Sequence, residues 1–370
     1  MHKILRYGTL AIVCAVGCGT QAVLAQSGKT KTKQAPGTIG TKQMAGGEGQ
    51  IGTTYSFERS PDYPRFNFTL VSAAYSVERL PFKDGSFTPL KDEKLLVLRY
   101  TLQNPTKTDI EITSPYFAKV TFQAVATNNK TYSADRTPYA LMEGGRPAGK
   151  PYPFADIVLK PGQKSETLVA AILIPADVSI PKLVVQRGRV GTKEKVTRFD
   201  LRGVIKPLPA PIADPADPSG ATARAEIPAK IGDSCVGAFS DFKVESMAYT
   251  ADAIGDAAPP DGGKILAVTA SANYGNGAPM TLFTTEDKVT GYLKDGDGEK
   301  IVAVEEIFKT TRPEPAVIES HSYGDTVRFR ILFKVPNGVT PQKLYLRNDS
   351  YIEGGPKDGR EYVFDLSGVK

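Results

Sequence analysis

Apolar side chains recur at every second position over several stretches of this chain. Across residues 94–112 (KLLVLRYTLQNPTKTDIEI), Leu96, Leu98, Tyr100 and Leu102 share one face, and Arg99, Thr101 and Gln103 the other. A period of two belongs to a half-buried strand; an amphipathic helix would repeat near 3.6. Asn104-Pro105 ends that strand, since proline cannot donate to the next rung of a ladder, and a second short strand follows the turn. Residues 68–75 predict another strand. Residues 119–125, with those from Lys130 onward, predict a hairpin about Asn128-Asn129, a pair that tolerates the positive φ of a tight turn. Leu168, Ala170, Ile172 and Ile174 alternate again after a Leu159-Lys160-Pro161-Gly162 turn and stop at Pro175. Residues 182–186 and 197–201 supply the last strands of this half. Residues 133–156 are rich in Pro, Gly and Tyr and have no period; loops of that length are uncommon and often functional.

The pattern then repeats. Residues 264–282 (KILAVTASANYGNGAPMTL) echo 94–112. Phe242, Ser246, Ala248 and Tyr249 fall where Phe68, Ser72, Ala74 and Tyr75 fell, and Lys288-Val289-Thr290 matches Lys119-Val120-Thr121. Asp297-Gly298 stands in the place of Asn128-Asn129 and predicts the same turn. Val327, Phe329, Ile331, Phe333 and Val335 alternate with Arg328, Arg330 and Lys334 and stop at Pro336, as 168–175 did. Phe364-Asp365-Leu366 closes the second half as Phe199-Asp200-Leu201 closed the first. Neither half sustains a helical period. Roughly six to eight short strands per half, with turn signals between them, predict an antiparallel two-sheet sandwich. The expected fold is all-β, with one sandwich at 54–206 and a second at 224–370. Residues 207–223 form a Pro-rich linker, expected as a semi-stiff extended spacer that leaves the interdomain angle open.

The N-terminal stretch changes the compartment. His2, Lys3 and Arg6 precede an apolar run over 9–16, and Val23-Leu24-Ala25 offers small residues before Gln26. Residues 1–25 therefore read as a secretory signal cleaved after Ala25. Gly17, Cys18, Gly19, Thr20 and Gln21 interrupt the apolar run short of a membrane span, so no transmembrane span is expected in the mature chain. Ala15-Val16-Gly17-Cys18 has the form of a lipobox, which makes lipidation of Cys18 the alternative processing. Residues 26–53 are Gly, Lys, Thr and Gln, expected as a flexible basic tether. Of Cys14, Cys18 and Cys235, two lie in the leader, so no intrachain disulfide framework supports the fold. The location expected is exported: periplasmic, cell-surface or extracellular, with lipid anchoring if Cys18 is acylated.

Charge divides the chain. Residues 54–206 hold 23 Lys/Arg against 15 Asp/Glu, and residues 207–370 hold 17 against 24. A basic half beside an acidic half suits an anionic partner, contact between the two domains, or plain solubility of each.

The strand order resembles a known family. A hydrophobic strand before Asn (95–104, 265–273), Leu159-Lys160-Pro161-Gly162, an Asp-Gly or Asn-Asn hairpin, and an alternating strand ending at Pro (168–175, 327–336) are similar to secreted bacterial immunoglobulin-like domains of unassigned role. These are often lipoproteins, and are similar in fold to a secreted immunoprotective antigen. The resemblance covers most of 66–202 and 239–366, as two tandem copies. The second copy has His321-Ser322-Tyr323-Gly324 where the first has Leu159 to Gly162. It implies tandem immunoglobulin-like β-sandwiches and an envelope location, and no catalytic residues.

Chemistry-bearing groups are few. Arg187, Arg189, Lys193, Lys195, Arg198, Arg202 and Lys206 form a basic run on the last hairpin of the first half. It suits an anionic polymer or lipid headgroups, or else a charged edge strand that resists pairing. Nucleic acid is not expected, because the run carries no interleaved aromatics and the chain is exported. Tyr139, Tyr152 and Phe154, with Arg146, are the sugar-binding candidates of the long loop; Trp, the usual stacking residue, is absent. Asp295, Asp297 and Glu299 are hard oxygen ligands suited to calcium, but Asp297-Gly298 is equally what a hairpin turn demands. His321 is the sole histidine beyond the leader and is placed in a turn, and Cys235 reads as a small core residue. No phosphate loop or zinc spacing occurs. The function expected is a non-catalytic envelope protein with a binding or spacer role and no cofactor. The alternative is a lipoprotein or a carbohydrate- or anionic-polymer-binding module that uses the basic first domain.

Overall fold

The computed structural model describes residues 41–43, 48–58, 64–82, 85–112, 120–133, 141–142, 157–187, 196–237, 240–273, 280–281, 289–304, 308–309, 320–321, 326–352, 355–357 and 359–370. The first sandwich is built from β1 (Glu48–Gly49), β2 (Thr54–Phe57), β3 (Phe66–Ser76), β4 (Glu93–Gln103), β5 (Val120–Val125), β6 (Thr131–Ser133), β7 (Leu168–Pro175), β8 (Lys182–Arg187) and β9 (Val196–Asp200). The second repeats that series as β10 (Glu226–Ala229), β11 (Ser234–Val236), β12 (Asp241–Thr250), β13 (Lys264–Asn273), β14 (Val289–Lys294), β15 (Lys300–Val302), β16 (Thr326–Val335), β17 (Lys343–Asn348) and β18 (Glu361–Asp365).

In the first sandwich one sheet runs Thr41–Gln43, β2, β3, β4, β7, Leu141–Met142, and the facing sheet runs β6, β5, β8, β9, β1. In the second, the sheets are β11, β12, β13, β16, Phe308–Lys309 and β15, β14, β17, β18, β10. These are two tandem antiparallel β-sandwiches, immunoglobulin-like in their two-sheet layering. The alternating residues do what their period predicts. Leu96, Leu98, Tyr100 and Leu102 enter the first core with Phe68, Phe122, Ile172 and Phe199. Leu266, Val268, Phe329, Phe333 and Phe364 fill the second. The half-buried reading of 94–103 is too modest, however. Leu95 and Val97 are also buried, on the outer side, against Val169, Ala171 and Leu80. An unbroken Leu-Leu-Val-Leu run is the pattern of a strand covered on both faces.

Several devices occur in both sandwiches. The register slips between Leu70 and Ser72 in β3 and between Val244 and Ser246 in β12. This one-residue bulge switches the inward positions from Phe68 and Leu70 to Ala73 and Tyr75, and from Phe242 and Val244 to Met247 and Tyr249. Gly52 and Gly232 take φ of 82° and 91°, open to glycine without strain. Their N–H groups donate to Leu70 O at 2.7 Å and Val244 O at 2.9 Å. The shared Ile-Gly (Ile51-Gly52, Ile231-Gly232) is thus a further repeat signal that the strand pattern alone misses. Both hairpin turns form as expected, with Asn129 at φ 63° and Gly298 at φ 84°.

Two expectations fail. The composition of 26–53 predicts a flexible tether, yet β1 pairs in parallel with β9 and Thr41–Gln43 with β2. Gly49 permits that approach by leaving Phe199 room. The linker was expected to be extended; residues 207–223 are instead folded. Leu208, Ala221 and Ala223 are buried in the first core, and Leu208 N–H donates to Gly220 O at 2.9 Å. The Asp217 carboxylate accepts from Ser219 N, Ser219 Oγ and Thr222 N at 2.7–2.9 Å, closing the loop. The prolines do not prevent this, because the apolar residues between them have a core to enter. No helix among the described residues is long and apolar enough to cross a membrane.

Candidate functional site

Two regions carry unusual chemistry. The first is the seam between the sandwiches. Lys94, the second residue of β4, is fully buried. Its ammonium lies 4.3 Å from the centre of the Tyr75 ring and donates to Ala176 O at 3.0 Å and to Ala221 O. Burial lowers its pKa to about 8, against the pull of Asp217 and Asp177. Tyr75 holds the other side, its hydroxyl accepting from Ile180 N at 2.8 Å. Arg79, beyond β3, crosses the seam. It meets Asp241 Oδ1 at 3.1 Å and donates to Gly237 O at 2.6 Å, with its side chain 6% exposed. Arg360, 3% exposed, crosses in the other direction and donates to Glu93 O and to Arg224 O. Burial lowers its pKa to about 10. Ile212 of the connector packs against both cores. A cleft of ≈ 200 Å³ lies alongside, lined by Arg79, Leu95, Val97, Arg99, Pro209 and Ile212.

The second region is the outer face of the sheet β15-β14-β17-β18-β10. Tyr292 and Tyr345 are opposite each other in register, and their rings stack at 4.7 Å with 7° between planes. Lys300 Nζ lies 4.2 Å from the Tyr292 ring centre and Lys294 Nζ 4.5 Å from that of Tyr345. Tyr292 donates its hydroxyl proton to Glu361 Oε1 at 3.2 Å, and Arg347 Nη1 reaches the same oxygen at 3.5 Å. Burial, then the Glu361 charge, raises the Tyr292 pKa. Tyr345 is 3% exposed and backs the half-buried Tyr292, whereas Val302 at the rim is 71% exposed.

The residues singled out from sequence fare differently. Arg187 is buried and donates to Glu58 O, so it is not a surface cation. Arg198 is exposed on β9, opposite Glu48. Arg202 is held by Asp200 at 2.6 Å, a pairing that pulls the Asp200 pKa down to about 2. The basic run is therefore not one surface. Nor is β9 an edge strand, because β1 covers it. Arg189, Lys193, Lys195, Tyr139, Arg146, Tyr152 and Phe154, like Cys18 and Ala25, lie outside the described residues. Asp295 Oδ1 accepts from Asp297 N at 3.0 Å and Glu299 N at 2.8 Å, so this carboxylate closes the hairpin turn. Among the described residues no three His, Cys, Asp or Glu side chains could hold a metal ion. Cys235 is a buried core residue, and burial pushes its thiol pKa well up. His321 stands on a strand rung opposite Met280 rather than in a turn. The Tyr292–Tyr345 pair was legible only as alternation. Its meeting needs the register of two strands that the chain separates by 48 residues or more of loop and sheet.

No known family model and no curated protein matches this chain. Among solved structures, it is similar to the secreted protein MPT63 of Mycobacterium tuberculosis at 13% identity and a TM-score of 0.26, covering 38% of this chain and 97% of that one. An uncharacterized beta-sandwich protein of Clostridium difficile is similar at 13% identity and a TM-score of 0.26, covering 45% of this chain and 100% of that one.

Proposed function

We propose that this chain is an exported, non-catalytic envelope protein in which two sandwiches act as one stiff binding or spacing body. The observation that carries this reading is the seam. Arg79, Arg360 and Lys94 each satisfy backbone carbonyls across the domains or the connector, and opening the seam would give up hydrogen bonds to charged groups of roughly 1.5–3 kcal/mol each. That cost favours a fixed angle over a hinge. The leader over 1–25 supports export, and the buried thiol of Cys235 argues against that residue as a nucleophile. Two measurements test it. Mass spectrometry of the mature protein is expected to find an N-terminus at Gln26, or an acylated Cys18; an exported chain that retains Met1 would count against the leader. Small-angle scattering is expected to give one rigid profile at low and at high salt. A profile of independently moving domains at either salt would overturn the stiff body.

A further inference from the structure

The two sandwiches build equivalent outer faces from different residues. In the second, one row across the sheet reads Val302–Tyr292–Tyr345–Val363–Pro228. The same row in the first reads Ser133–Gln123–Val184–Arg198–Glu48. The next row reads Lys300–Lys294–Lys343–Asp365 in the second and Thr131–Val125–Lys182–Asp200 in the first. The Lys–Asp pair at the end of that row is common to both. The stacked tyrosines, the exposed valine and the two additional lysines belong to the second sandwich alone. Since the first sandwich folds with Gln123, Val184, Val125 and Thr131 in those places, the fold does not demand the aromatic and cationic set.

Like-charge repulsion also sets this row apart. Lys300, Lys294 and Lys343 stand directly opposite one another, and like charges in that arrangement repel. Asp365 offsets Lys343; hydrogen bonds from Ser367, and to a lesser degree that lysine, lower its carboxyl pKa. Lys294 and Lys300 instead rest on tyrosine rings. This occurs in the half of the chain whose carboxylates outnumber its cations. A local pair of ammonium groups beside a half-exposed ring and an exposed valine is a surface shaped for an anionic ligand with an apolar side. The row crosses five strands and spans roughly 20 Å at the usual strand spacing, with Tyr345 buried at its centre. It suits an extended chain rather than a compact molecule.

We infer that this outer face of the second sandwich binds a linear acidic polysaccharide. Pyranose rings lie against Val302 and the exposed edge of Tyr292, whose faces are taken by Tyr345 and Lys300, and sugar carboxylates meet Lys294 and Lys300. An acidic peptide would bring charge without the flat apolar face, and one ring with one valine is too little apolar surface to insert into a membrane. The inference rests on the binding role proposed above and places it on the second sandwich.

The test is titration of the full mature chain with polygalacturonate at about 50 mM salt, where charges act over about 14 Å. Dextran, polyglutamate and phosphatidylglycerol vesicles serve as comparators. Tyr292→Gln and Lys300→Thr install the residues that the first sandwich carries. The wild-type chain is expected to bind polygalacturonate and not dextran. Tyr292→Gln is expected to weaken binding at least tenfold with no change in melting temperature, and Lys300→Thr with Lys294→Gln to weaken it about tenfold and flatten its salt dependence. Should Tyr292→Gln lower the melting temperature, Lys300→Thr on the edge strand decides the matter alone. Unchanged affinity in the variants would overturn the site, as would equal binding of polyglutamate or binding of vesicles only. Loss of binding through Lys182→Glu with Arg198→Glu, while Tyr292→Gln binds normally, would sink this site and leave the binding role intact. A wild-type chain that binds none of the four would sink both.

Discussion

Lys94 over Tyr75 and Lys264 over Tyr249 are the same pair written twice, and they behave differently. The separations are similar, 4.3 Å and 3.7 Å. Both tyrosines also receive the same strap, Tyr75 N–H donating to Lys206 O and Tyr249 N–H to Lys370 O, each at 3.0 Å. Lys94 is fully buried beneath the connector, and its pKa falls to about 8. Lys264 is only partly buried. One local motif is thus a surface contact in one sandwich and a buried charge in the other. The difference lies in what packs on top: the folded 207–223 segment in the first case, and in the second no such connector among the described residues.

The largest effect that can break this comparison is a pH dependence. A lysine whose folded pKa lies below its unfolded value holds fewer protons in the folded state. The unfolded chain therefore binds the extra proton between about pH 8 and 10.5, and stability rises with pH across that window. Measured by denaturant melts at pH 7.5 and pH 10 as the difference between the wild-type and Lys94→Met chains, so that ionisation of the unfolded tyrosines cancels, the gain should be roughly 2–3 kcal/mol at 1.36 per unit. Lys94→Met should abolish this gain and Lys264→Met should keep it. A Lys94→Met protein that gains as much stability as the wild type over that range would show that another group is responsible.

Arg360→Met comes next. It leaves Glu93 O and Arg224 O without their donor at a buried seam, at a cost of roughly 2 kcal/mol. Calorimetry is expected to show the single transition of the wild-type chain split into two as the sandwiches uncouple. A single transition at an unchanged temperature would mean that the arginine does not couple them.

The smallest effect compares the two parallel strands that close the facing sheets. Gly49 opposes Phe199, and Ala229 opposes Phe364. A Cβ at Gly49 would stand 2.6 Å from Thr197 Cγ2 and 2.7 Å from Phe199 Cε1. Gly49→Ala should therefore cost about 1 kcal/mol through forced repacking, read from the urea midpoint. Ala229→Gly should cost less. Equal costs would mean that the two closures are packed alike.

Much of the fold was legible beforehand. The alternation at 94–103 and 326–335 and the turns at Asn128-Asn129 and Asp297-Gly298 needed only period and local backbone preference. The bulges at Val71 and Glu245 were written as a phase break that both copies share, and the Ile-Gly repeat marked a strand start inside what reads as tether. The candidate sites were less legible. The basic run looks continuous in sequence, yet Arg187 turns inward to Glu58 O and Arg202 folds onto Asp200. Charge counts cannot distinguish a cation facing solvent from one spent on a carbonyl.

By itself the sequence determined that this chain is two β-sandwiches in tandem, because strand period, turn residues and core side chains act over a few neighbouring positions. Only the tertiary structure decided that residues 207–223 bury Lys94 and bind the modules together, and that Tyr292 meets Tyr345 beside two lysines. Those outcomes depend on register and on packing between segments far apart in the chain, where apolar burial outweighs the extended preference of proline.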